Sequence, residues 1–357
     1  MDSGYKFGVG VMPADNIIPF GEEIVMKRLI VVLCVLCSIG MAVTANGTKE
    51  ESEKSSSKVN FPAKPIKIIV PFAPGGGTDI TSRIFADAAG KDFFNGQPLV
   101  VENMEGGGAV IGQTYVAKTA PADGYTVMLL TSSAINNSIL KKVNYSYKDF
   151  KPIIMVNPDA EIVVAPTKNA KFKTMKELIE YAKNNDVLVS TPGHSSGHHI
   201  RALNMARLMG LRFKYLHSNS AAIQVQQLMG GHCDVAFMTI SESTGALSDG
   251  SAVGLGVMST ERVSTVPNVP TFKELGYDGW VDGASRGFAM RADTPENIYN
   301  YLVAEFKKVA VSKKFITKMS DAGMLYAADG PGEYQKYLDF TADAITALKD
   351  VLLGAKK

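Results

Sequence analysis

Residues 71–79 read Pro-Phe-Ala-Pro-Gly-Gly-Gly-Thr-Asp and follow the apolar run Ile66–Val70. A glycine loop feeding a helix leaves several backbone N–H groups without intrahelical partners and turns the positive end of the helix dipole outward. That is an anion site with no committed ligand. A phosphate loop of the P-loop type would need Gly-Lys-Ser/Thr at its end. Here Gly77 is followed by Thr78 and Asp79, no lysine occurs before Lys91, and the Asp79 carboxylate would repel phosphate. A dinucleotide fingerprint fails as well, because Ile80-Thr81 occupy the place of its last glycine. The blander alternative is a turn in which Thr78 or Asp79 caps the helix. Asp79 is expected to hold the helix start rather than to touch a ligand.

A second stretch, Gly193-His194-Ser195-Ser196-Gly197, fits G-x-S-x-G between a strand and a helix. In an α/β-hydrolase this would be the nucleophile elbow, with chain order Ser, acid, His. No Asp or Glu lies between Ser196 and His232, and no His follows Asp234, so that order cannot be assembled. A triad in another order is geometrically conceivable. His194 and His198 are spaced i, i+4, but no H-E-x-x-H is present and no neighbouring carboxylate or thiol completes a zinc set. Loop histidines that donate hydrogen bonds or help close a cleft are the expectation, with no metal and no cofactor.

The elements that must position these loops alternate. Strands are expected at Ile66–Val70, Leu99–Glu102, Thr126–Leu130, Ile153–Val156, Ile162–Ala165, Leu188–Ser190, Asp234–Met238, Gly254–Met258 and Arg286–Met290. Helices are expected at Asp79–Lys91, Gly108–Lys118, Met175–Asn184, His198–Met209, Ala221–Met229, Thr271–Leu275 and Glu296–Val311, with further helical turns over Gly332–Leu353. Such alternation predicts α/β units on a largely parallel sheet. Ligands then sit off the carboxyl ends of the strands. Four loops fall there: 71–79, 131–138, 191–198 and 239–245. Two pairs of loops from two α/β lobes predict a cleft between lobes.

The 357 residues, 46% of them hydrophobic and 20% charged, suffice for two compact lobes. The formal net charge of +2 and the single Trp, Trp280, give no basic or stacking surface for nucleic acid. Met26-Lys27-Arg28, the apolar run Leu29–Val43 and the small residues of Val43-Thr44-Ala45 have the three parts of a secretory signal peptide. The run is short for a membrane span. Residues 1–25 are expected to precede the true start at Met26, because Gly21-Glu22-Glu23 can be encoded by a purine-rich ribosome-binding site. Cys34 and Cys37 fall in the signal. Neither follows the small residue a lipoprotein signal prefers, and cleavage after Ala45 leaves Cys233 alone, without an internal disulfide partner. Residues 46–60 are Ser/Lys/Glu-rich and read as a flexible tether.

Several segments together resemble the substrate-binding proteins of tripartite tricarboxylate transporters, the Bug family. They are FPAKPIKIIVPFAPGGGTDITSR at 61–83, VENMEGGGAVIGQTYVAK at 101–118, PADGYTVMLLTSSAINNSIL at 121–140, LMGGHCDVAF at 228–237 and VPNVPTFKELGYDGW at 266–280. The likeness runs from Phe61 to about Leu353. It implies an α/β fold of the two-lobed, type II periplasmic-binding-protein kind. Each lobe would be a mostly parallel sheet flanked by helices, with the ligand between lobes. Lobe I would comprise 61–160 with 286–357, and lobe II 161–285.

The resemblance further implies a small organic carboxylate held by loops of both lobes. Carried over, the first loop is Phe72, Ala73, Gly75, Gly76, Gly77, Thr78 and Asp79, joined by Ser132 and Ser133. The opposing loop is His194, Ser195, Ser196 and His198, where His194 departs from a place that is usually Gly. Arg286 could pair a second carboxylate in fork geometry. No catalytic residue is expected. The partners implied are the large and small membrane subunits of a transporter, with the chain itself a monomer in the periplasm or outside the cell envelope. Two alternatives are a component that feeds an extracytoplasmic sensor and a serine hydrolase using Ser195.

Overall fold

The computed structural model describes residues 61–277, 280, 282–347 and 349–353. The expected start, signal segment and tether, residues 1–60, lie outside the described residues. In chain order the elements are β1 Ile66–Val70, α1 Gly77–Ala89, β2 Leu99–Asn103, α2 Val110–Thr114, β3 Thr126–Leu130 and α3 Ser133–Leu140. Next come β4 Phe150–Pro166, α4 Met175–Ala182, β5 Val187–Thr191, α5 Gly197–Met209, β6 Phe213–His217 and α6 Ala221–Met229. The chain continues with β7 Val235–Thr239, α7 Ile240–Ser248, β8 Ala252–Val257 and β9 Gly283–Arg291. Last are α8 Glu296–Ala310, α9 Lys313–Asp321, α10 Pro331–Ala347 and α11 Lys349–Leu352.

The strands order as β2-β1-β3-β9-β4-β7-β5-β6, with β8 on β4. Pairing is parallel at both ends, β1 with β2 and β3, and β5 with β6 and β7. It is antiparallel around β9 and β4 in the middle. These two strands are the crossing elements of the two-lobed fold. β4 pairs β9 from Phe150↔Arg291 to Ala160↔Gly283, then hands over to β7 and β8 from Glu161 onward. The expected strands Ile153–Val156 and Ile162–Ala165 are therefore one strand of 17 residues. The polar residues between them are strand interior, with Asn157 and Asp159 paired to β9 and Glu161 to β7.

Each half has its own aromatic core. On one side Phe85 packs on Phe288, Phe306 and Phe315, with ring centroids 4.6, 5.0 and 5.3 Å apart. On the other, Phe172, Phe213, Phe237 and Phe272 bury against α4 and α5. Alternation along β4 sends Val163 to that core and Ile162 and Val164 to the opposite face. Four expectations are corrected. The 131–138 and 239–245 segments are not loops but the starts of α3 and α7, β6 is an additional edge strand, and Thr271–Leu275 forms turns rather than a helix. Among the described residues no helix is long and apolar enough to cross a membrane.

Candidate functional site

Four helices, α1, α3, α5 and α6, begin at residues that line one cavity between the halves. Gly76 is the N-cap of α1, Ser132 of α3, Ser196 of α5 and Ser220 of α6. Ser196 and Ser220 cap by accepting from the N–H of His199 and Ile223, so their loops enter the helices rigidly. Among the described residues, the N–H groups of Gly77, Thr78, Gly197, His198 and Ala221 meet no acceptor of the protein. First-turn amides of this kind, each backed by a helix dipole of about half a charge, make the cavity a sink for negative charge.

The two sides meet around the cavity. Ala73 donates its N–H to the Asn219 carbonyl at 3.1 Å, and Asn136 Nδ2 donates to the Ser195 carbonyl at 3.2 Å. Lys141 Nζ bridges the Gly107 and His194 carbonyls at 2.9 and 3.0 Å. The enclosed space is about 40 Å³, room for a few waters.

Of the residues expected at the site, Phe72, Gly76, Gly77, Thr78, Ser132, Ser133, Ser196, His198 and Arg286 line this cavity together. Ala73, Gly75, Asp79, His194 and Ser195 stand behind it, for separate reasons. The Ala73 N–H is engaged by Asn219. The Gly75 N–H donates to Asp79 Oδ2 at 3.0 Å. Asp79 is not the N-cap: it sits in the first turn, and its buried carboxylate also takes Arg83 Nε and Asn103 Nδ2 at 3.0 and 2.9 Å. It thus clamps the glycine loop to the helix it feeds. Arg83, Gly75 and Asn103 lower its pKa below the usual carboxylate range against the opposing effect of burial.

His194 and Ser195 belong to a different cluster. Ser195 adopts φ +63° and shares a 2.9 Å hydrogen bond between its Oγ and His194 Nδ1. Its N–H donates to His199 Nδ1 at 3.0 Å. The rings of His194, His199 and His217 lie 4.7–5.6 Å apart, and Tyr215 is edge-on to His199. Burial lowers the pKa of all three imidazoles and Lys141 adds to it; His194 also acts on His217, and His217 and His194 act on His199, which falls to about 3. The charged group acting on His194 is thus a cation, Lys141, which disfavours the imidazolium a hydrolase base must become. Among the described residues no group of three His, Cys, Asp or Glu is placed to hold a metal.

The floor of the cavity is an ion ladder. Arg286 is 1% exposed. Its Nη1 donates to Asn157 Oδ1 and Asp159 Oδ2 at 2.6 and 2.8 Å, and its Nη2 to Glu242 Oε1 and Thr239 Oγ1 at 2.7 and 3.0 Å. His198 Nδ1 faces both oxygens of Glu161 at 2.7 and 2.8 Å, and its Nε2 lies 3.4 Å from Glu242. Burial opposes its charge, but the two carboxylates outweigh burial and raise the imidazole pKa. Arg201 reaches Glu161 at 3.5 Å, Asp282 at 2.8 Å and the Gly283 carbonyl. The fork of Arg286, expected to face a ligand, is thus occupied by the protein's own carboxylates. A ligand carboxylate would have to compete with Asp159 and Glu242.

Sequence reasoning passed over Arg201, Glu161, Asp159, Glu242 and the 217–221 loop. A signal existed for two of them. Asn157, Asp159 and Glu161 alternate inside an apolar strand, which places them on one face at the handover point of β4.

Known proteins share this sequence pattern and this fold. Residues 82–353 match the family described as the tripartite tricarboxylate transporter family receptor. Protein BugT of Bordetella pertussis is 32% identical over 238 residues, 65% of this chain and 71% of its own length. A UPF0065 protein of the gbd 5' region of Cupriavidus necator is 29% identical over 306 residues, 83% of this chain and 90% of its own. The periplasmic binding protein BugD superposes with a TM-score of 0.75 at 27% identity, covering 82% of this chain and 98% of that one. MatC of Rhodopseudomonas palustris, solved with bound malate, does so at 0.75 and 25%, covering 82% and 100%. With the family match spanning most of the chain, this protein belongs to the tripartite tricarboxylate transporter receptor family, the Bug-type solute-binding proteins.

Proposed function

We propose that this chain is an exported periplasmic receptor that captures a small organic carboxylate between its lobes and delivers it to the membrane subunits of a tripartite transporter. The observation that carries this is the convergence of four helix N-termini on one inter-lobe cavity, with their first-turn N–H groups facing no protein acceptor. A carboxylate there gains charge-assisted hydrogen bonds worth about 1.5–3 kcal/mol each. The malate seen in MatC belongs to this chemical class. A ligand larger than a few waters enters by parting the lobes about the crossing strands β4 and β9. It favours closure because it touches both sides at once. No covalent step is involved: Ser195 stands behind the cavity and its histidine lacks an acid to orient it.

Native mass spectrometry of protein purified without denaturation, followed by a thermal-shift panel of mono-, di- and tricarboxylates, tests the reading. A ligand at 100 times its Kd should add about 2.7 kcal/mol to stability, an upward shift of several degrees in Tm. A panel in which no carboxylate raises Tm would sink it.

A further inference from the structure

Behind the cavity wall lies a chain of hydrogen bonds whose direction can be assigned from Gly108 as far as Ser133. It starts at the Gly108 carbonyl, which can only accept. Asn137 Nδ2 donates to it at 2.8 Å, which orients the Asn137 amide. The same Nδ2 lies 2.9 Å from the Gln113 side chain, so the Gln113 atom it meets is the oxygen, Oε1. The Tyr145 hydroxyl, 2.5 Å away, donates to that oxygen as well. The other end of the amide, Nε2, can only donate, and it lies 2.8 Å from Ser133 Oγ. Ser133 Oγ in turn is 2.8 Å from Thr131 Oγ1, which also accepts the Ser133 N–H at 3.3 Å. Gln113 is almost wholly buried, while Thr131 and Ser133 both line the cavity.

Two hydroxyl hydrogens must be placed between Ser133 and Thr131. One fills the bond between them. Because Gln113 already donates to Ser133, the other has no partner behind the wall. If Ser133 donates to Thr131, the Thr131 hydrogen faces the cavity; if Thr131 donates to Ser133, the Ser133 hydrogen does. Either way the pair presents one O–H donor to a site built for negative charge.

We propose that Gln113 is the positioning residue that fixes this polarity, making the Thr131–Ser133 pair a donor to the ligand's carboxylate. This deepens the carboxylate reading above and rests on it. A carboxylate at position 113 would reverse the relay. Ser133 would donate to it, Thr131 would donate to Ser133, and only lone pairs would face the ligand. Gln113→Glu keeps the shape and retains donors from Tyr145 and Asn137, so the fold has reason to tolerate it.

The test is titration calorimetry with malate, adipate and acetate on wild type, Gln113→Glu, Ser133→Ala and the double variant, with Tm recorded for each. The single Gln113→Glu change should weaken the tightest probe tenfold or more, with Tm close to wild type. In the Ser133→Ala background the same change should cost less than threefold, because no hydroxyl remains to pass the reversal to Thr131. Equal losses in both backgrounds would overturn the relay in favour of direct charge repulsion. So would an unchanged affinity in the single variant. Should Gln113→Glu fail to fold, Gln113→Met and the hydroxyl-free pair Thr131→Val/Ser133→Ala replace it: Gln113→Met leaves the spare hydrogen without an acceptor behind the wall and should bind within threefold of wild type, while the hydroxyl-free pair should lose tenfold or more, and a tenfold loss in Gln113→Met or none in the hydroxyl-free pair overturns the relay. If none of the probes binds wild type, the carboxylate reading falls and the relay with it. Binding to wild type without the predicted cycle removes the relay alone.

Discussion

Acidification from pH 7 to pH 5 should remove about 2 kcal/mol of stability through His199. Its ring is buried, and its Nδ1 accepts the Ser195 N–H, so protonating that nitrogen would set one N–H against another. Burial first, then His217, His194 and Lys141, carry its pKa from 6.5 down to about 3. The folded pKa lies below the unfolded one, so the unfolded chain binds the proton first. Stability is intact above pH 6.5 and is lost as the pH falls from 6.5 towards about 3. At pH 5 the unfolded imidazole gains RT ln(1 + 10^1.5), about 2 kcal/mol, and at pH 7 about 0.2 kcal/mol. The folded ring gains almost nothing at either pH, so the difference holds for any native value well below 5. Urea unfolding of wild type and His199→Gln at both pH values measures it. The wild type should lose about 2 kcal/mol more than the variant between pH 7 and pH 5. His194 and His217 titrate in both proteins and largely cancel in the comparison. Equal losses would refute the assignment of a buried neutral imidazole at 199.

Arg286→Met should leave the buried Asp159 without an ion partner and Glu242 with only His198, and cost about 3–5 kcal/mol, read as a lower urea midpoint. A midpoint within experimental error of wild type would show the ladder to be energetically idle. Gly77→Ala places a Cβ 2.5 Å from Arg286 Nη2 and 3.0 Å from Glu242 Oε1. It should cost about 1–3 kcal/mol and weaken any carboxylate that binds wild type. Gly76→Ala meets nothing nearer than 3.4 Å and should keep wild-type stability in the same assay.

Much of the scaffold was legible because its cues are local. Ile66–Val70 and Thr126–Leu130 are short apolar runs bounded by turns, and both are buried strands with those bounds. Ala221–Met229 is bounded by Ser220 and Gly230 and is a helix over those residues. β6 escaped notice because Phe213-Lys214-Tyr215-Leu216-His217 carries a lysine and a histidine at exposed positions of an edge strand, so it shows no clean alternation. The start of α3 read as a loop because Ser-Ala-Ile-Asn-Asn-Ser has poor helix propensity. Its Asn136 and Asn137 are buried and bonded to Ser195, Gly108 and Gln113, tertiary contacts that override propensity.

Taken alone, the sequence determined the α/β class, the anion-seeking glycine loop at 71–79 and the capped helix start after Gly193. Each depends on residues within a few positions of one another, where backbone sterics and unpaired amides act. Tertiary structure decided which of these loops share a cavity, and that Arg286 faces Asp159 and Glu242. Those partners lie 127 and 44 residues away along the chain. Their meeting depends on the register of β9 against β4 and on where β7 delivers α7. A charged residue's partner is set by that register, which no stretch of neighbouring residues encodes.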